Sequence, residues 1–125
     1  MGKTVHDDVL DGALNIVKNN ATRISVCSTE PTTYTEAITT YKLAIKTITS
    51  ADFTGPSNGD TNGRKLRSNQ HTGITVDSSG TALHVALSDS VNSKLLYVTT
   101  CTSQGLTAGN TVTIPVWDIE VADPT

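Results

Sequence analysis

The sequence predicts a mostly β protein: a β-sandwich or jelly-roll-like domain carrying one N-terminal amphipathic α-helix. Three observations predict it. Between residues 22 and 121, short runs with two-residue alternation follow one another, punctuated by turn residues. The chain is rich in threonine, and its aromatic content is only 4%. Threonine's branched Cβ favours extended backbone while its hydroxyl tolerates water, which suits short strands in half-exposed sheets. A helical period is clear only in residues 5–20. The length, 125 residues, is that of one domain able to bury one core, and no internal repeat, low-complexity tract or second unit divides residues 1–125.

In the helix, Val5, Val9, Leu10, Ala13, Leu14, Ile16 and Val17 share a broad apolar face, opposite Asp7, Asp8, Asp11, Asn15 and Lys18. Thr4 is the expected N-cap, the early aspartates suit the positive end of the helix dipole, and Asn19-Asn20 end it. Residues 22–28 alternate as a first strand, with Ile24 and Val26 on one side, and Glu30-Pro31 breaks the run. Residues 34–51 read as a loop or short turn followed by a strand from about Tyr41 to Thr49. The stretch from about 54 to 63, dense in Gly, Pro, Asn and Asp, is the clearest loop. Five further strands are expected, at Arg64–Asn69, Gly73–Asp77, Thr81–Ser88, Lys94–Thr100 and Thr111–Val121. Ser78-Ser79-Gly80 is read as a hairpin turn, Leu83, Val85 and Leu87 as one face of a strand, and Pro115 as the mark of an edge or bulge.

Charge and composition exclude several functions. Nine basic against twelve acidic residues leave a net charge of −3, and only Arg64, Lys65 and Arg67 cluster, which is no footprint for nucleic acid and reads as a solvated strand face. The start has no signal-peptide core, and no segment approaches the roughly 20 apolar residues that span a bilayer, which predicts synthesis in a cytosol and no membrane partner. Gly2 lacks the Ser or Thr at position six that myristoylation needs, since His6 stands there. The Asn20-Ala21-Thr22 sequon matters only in a secreted eukaryotic protein. Cys27 and Cys101 read as small core or strand residues, too far apart in sequence for a paired zinc ligand set.

No catalytic set emerges. His6, His71 and His84 have no partner at metal-ligand spacing, and no nucleophile elbow is present. Asp7 and Asp8 point about 100° apart on a helix and do not converge on one bond. Gly2-Lys3-Thr4 lacks the strand and glycines of a phosphate loop. Asn58, Asp60 and Asn62, followed by Gly63, match the early positions of a calcium loop, but the twelfth position is Asn69 rather than a bidentate glutamate, so the stretch reads as an Asx-rich turn. The expectation is a protein that is not an enzyme and needs no cofactor.

The stretches from Val5-His6-Asp7-Asp8-Val9-Leu10 to Leu14, Cys27 to Pro31, and Phe53-Thr54-Gly55-Pro56 to Lys65 resemble small proteins encoded among the structural genes of tailed bacteriophages. Thr81 to Asp89, Leu95-Leu96-Tyr97 and Leu106-Thr107-Ala108-Gly109-Asn110-Thr111-Val112 to Ile119 are similar to the β-rich module of phage virion proteins. This resemblance implies a capsid decoration or cement protein at the virion surface, made in the bacterial host cytoplasm, with itself as homo-oligomer and the major capsid protein as partners. Val5, Val9, Ala13 and Val17 are then the candidate oligomer or shell interface. The alternative is a tail- or fibre-associated module that recognises a surface glycan or protein through a face bearing Tyr97 or Trp117.

Overall fold

The structure, a computed structural model, describes residues 3–124, so Gly2 and any role for it lie outside the described residues. Among the described residues one helix, α1 (Asp7–Asn20), precedes nine strands: β1 (Arg23–Cys27), β2 (Lys42–Thr47), β3 (Phe53–Asn58), β4 (Arg64–Ser68), β5 (His71–Thr75), β6 (Gly80–Asp89), β7 (Lys94–Leu106), β8 (Thr111–Ile114) and β9 (Trp117–Val121). A π-helical turn, Glu36–Thr40, and a 3-10 turn, Ser50–Asp52, flank β2. The mostly β class with an N-terminal helix holds. The strands divide into three antiparallel sheets, ordered β2-β1-β6-β7, β3-β4-β9 and β5-β8.

One core joins these sheets: Leu14 and Val17 of α1 meet Ile24 of β1, Leu66 of β4, Leu87 of β6 and Ile119 of β9. The helix begins at Asp7 rather than Val5. His6, not Thr4, caps it, because His6 is extended at φ −73°, ψ 143° and its Nδ1 accepts from the Asp8 amide at 3.0 Å. On β1 the alternation of Ile24 and Val26 is real, yet Ser25 and Cys27 are buried as well. The strand is central, and the turn at Glu36–Thr40 covers its second face, with the Cys27 thiol 3.5 Å from the Ala37 carbonyl.

Four boundaries differ from expectation, each for a local reason. Phe53–Asn58 is a strand, so the loop shrinks to residues 59–63. Pro56 fits because β3 is an outer strand whose register with β4 skips Gly55 and Pro56. At the turn itself Gly63 has φ +70°, and a Cβ there would collide with the Val121 carbonyl. Residues 78–80 are not a hairpin turn: β5 pairs with β8 and β6 with β1 and β7, and the connection crosses between sheets, held by the Asp77 and Ser78 amides donating to the Leu43 carbonyl. Leu83 is exposed and Ala82 buried, since the β6–β7 register shifts between Ala82 and His84 and reverses which side chains face inward. Finally, the expected strand 111–121 is two strands in different sheets. Pro115 and Val116 interrupt it, and the buried parity passes from Val112 and Ile114 to Ile119.

Candidate functional site

Helix α1 divides the predicted interface residues. Its inward side places Leu10, Leu14 and Val17 in the core at 7%, 1% and 8% exposure, so Val17 is a packing residue and not part of a contact surface. Val5 is half-buried, and Ala13 is exposed. Val9 stands 65% exposed and Ile16 56%. Val9, Gly12, Ala13 and Ile16 recur at helical spacing, so they form one uncharged stripe beside the buried face. Ile16 belongs to this stripe although the interface set read from sequence left it out. Its i, i+4, i+7 relation to Val9 and Ala13 was the available signal.

The basic cluster is held internally rather than merely solvated. On the helix side of β4, Arg64 donates to both Asp11 carboxylate oxygens at 2.8 and 3.2 Å and to the Asn58 side chain at 2.7 Å, while Lys65 and Arg67 take the opposite, outward face. Lys65 reaches Asp60 at 2.6 Å, and Arg67 reaches Asp118 at 2.9 Å. The Asn62 side-chain oxygen accepts from the Asp123 amide at 3.1 Å. The three calcium-loop candidates Asn58, Asp60 and Asn62 thus each accept a hydrogen bond from a donor of the protein, and together they tie the 59–63 turn to β4 and the segment after β9.

A cleft of about 450 Å³ opens between β6–β7 and the β8–β9 passage. Its lining includes aliphatic Val26, Val85 and Ile114 and polar Thr102, Gln104 and Asp118. Irregular backbone shapes both of its walls. On β7, residues 101–103 stand where β6 has only Leu83 between paired positions, and on the other side the ladder stops at Pro115. Trp117 forms part of the wall and stacks on Tyr97 with ring centroids 5.8 Å apart and planes 27° apart. The two aromatics named as a recognition face are therefore brought together. Among the described residues the Trp117 indole Nε1 is buried without a hydrogen-bond partner, as is Oγ of Ser68, its cross-strand neighbour.

Electrostatics at the cleft are quiet. The Arg67 guanidinium beside Asp118 holds its carboxyl below the usual carboxylate range, so the acid stays ionised and paired. Burial pushes the Cys101 thiol up, which keeps it protonated and weakly nucleophilic, and burial does the same to Cys27. His71, 2% exposed on β5, has its pKa lowered by burial and then by Lys46, and its Nε2 has no partner among the described residues. His6 caps α1 and His84 lies on β6, so the three histidines serve separate elements. Among the described residues no three His, Cys, Asp or Glu side chains converge as a metal site, and no helix is long and apolar enough to cross a membrane. Comparisons with protein-family models, with curated proteins and with solved structures found no match.

Proposed function

We propose that this chain is a non-enzymatic structural protein of a tailed-phage virion, a capsid decoration or cement protein that works through homo-oligomeric contacts. The observation that carries the assembly part is the uncovered apolar stripe of α1, where Val9 and Ile16 are 65% and 56% exposed on a helix whose other apolar side already serves the core. The stripe is self-complementary. Val9 and Ile16 lie symmetrically about Gly12-Ala13, so two antiparallel copies of α1 crossing there set Val9 of one against Ile16 of the other. The small residues at the crossing allow close approach; a Cβ added at Gly12 meets nothing within 4 Å. A contact of this size is weak alone and gains strength when repeated on a shell. The virion assignment rests on the sequence resemblance, and the ion-paired β4–β9 face fits a module that holds its shape on display.

The test is solution mass by light scattering, followed by co-sedimentation with undecorated phage capsids. The expected result is a symmetric oligomer that sediments with shells, and both properties fall away in Val9→Lys and Ile16→Lys. A monomer at all concentrations that stays in the supernatant overturns the proposal.

A further inference from the structure

We infer that the cleft between β7 and the β8–β9 passage is a binding site for a neutral saccharide unit. This goes beyond the assembly reading and does not depend on it. Size is the first argument: about 450 Å³ lies within the roughly 300–1,000 Å³ of small-ligand sites. Shape is the second, because bulges beside a cleft re-aim side chains, and here the extra residues of β7 and the break at Pro115 widen the space between the strands.

The third argument is the chemistry of the lining. The Trp117 ring, stacked on Tyr97, stands with aliphatic Val26 and Val85 as an apolar wall. The ligand that fits must bring apolar surface to this wall. It must also exchange hydrogen bonds with Thr102 and Gln104, which each offer donor and acceptor atoms. A pyranose has this division, with C–H groups on one face and hydroxyls around its edge.

Charge selects the neutral class. Asp118, the only charged residue of the lining among the described residues, turns its carboxylate to the outer face of β9, where it pairs with Arg67 at 2.9 Å and lies 3.6 Å from Lys65. Those cations are engaged by carboxylates, so an anionic ligand finds no free positive partner. A purely apolar ligand leaves the polar groups unpaired as they are desolvated.

Trp117 is the only tryptophan, so its emission and its indole N–H resonance report on this wall alone. Titration of the full chain with glucose, galactose, mannose, N-acetylglucosamine and lactose should give, for at least one of them, a saturable shift with a Kd of about 1 mM. Gln104→Ala should weaken that binding about tenfold, a loss of about 1.4 kcal/mol. Cys101→Phe, which fills the cleft, should abolish it while circular dichroism shows the fold retained. If Cys101→Phe does not fold, Thr102→Phe takes its place. The inference is overturned if no neutral sugar gives a saturable shift, if only inorganic phosphate or N-acetylneuraminate does, or if filling the cleft leaves binding intact. Capsid co-sedimentation is scored separately, so failure of either reading leaves the other standing.

Discussion

Strand β9 presents two environments one residue apart. Asp118 points to the outer side, where Arg67 and Lys65 surround it, and Leu66 behind that surface is fully buried. Trp117 belongs to the other side, where Tyr97 covers one ring face and a cleft replaces the close packing seen elsewhere. Closed packing and satisfied charges make the β4–β9 face a frame. The neighbouring opening lies beside the Trp117 indole N–H, which is buried and has no acceptor among the described residues. Polar satisfaction separates the two more clearly than hydrophobicity does, because both are backed by aliphatic residues.

That contrast can be broken in graded steps. Val17→Lys, placing an unpaired charge in the core, should cost more than about 4 kcal/mol and unfold much of the protein, as read by urea denaturation. Leu66→Ala on the sealed side should cost about 2–5 kcal/mol, whereas Val112→Ala beside the cleft should cost less, because its surroundings are already open. Equal losses would mean that the cleft closes in solution.

His71 titrates with its folded pKa below the ordinary value, so the unfolded chain binds more protons and stability must fall as pH drops from about 6.5 toward the depressed folded value. His71→Leu should remove that slope; urea midpoints at pH 7 and pH 5.5 read it directly. Asp118 also has a lowered folded pKa, so its contribution is complete above the ordinary carboxylate pKa and is lost as pH falls through the depressed value. Arg67→Gln should lower stability at neutral pH, where this contribution is complete, and flatten the acid limb, leaving the pH slope above pH 6 unchanged. The smallest effect is on the helix: Val9→Lys should shift stability by no more than about 0.5 kcal/mol while removing self-association.

Local features of the fold were readable from sequence wherever a short period governed burial. The helix, the central strand around Ile24 and Val26, and strands β4 to β6 follow from such patterns to within a few residues. Pairing was not readable in the same way. Ser78-Ser79-Gly80 has hairpin composition, but the Leu43 carbonyl, distant in sequence, captures the amides that follow β5. Leu83 misled because a bulge changes parity without changing composition. At the candidate sites, sequence named Tyr97 and Trp117 but not Gln104 or Thr102, whose place in the cleft lining depends on a register shift in β7. Helical spacing exposed the apolar excess of α1, and only packing could tell that Val17 lies inward and Val9 outward.

The break at Pro115-Val116 also bears on the order in which the molecule is made. β8 completes the sheet begun by β5, and β9 completes the one begun by β3 and β4. The four-stranded sheet needs nothing beyond residue 106, so on a ribosome it can assemble while the two smaller sheets still lack a strand each. A single late segment then closes both, across long sequence separations that slow the search. Until it arrives, β4 and β5 each present an unpaired edge, which makes residues 111–121 the chain's last safeguard against premature association with its own copies.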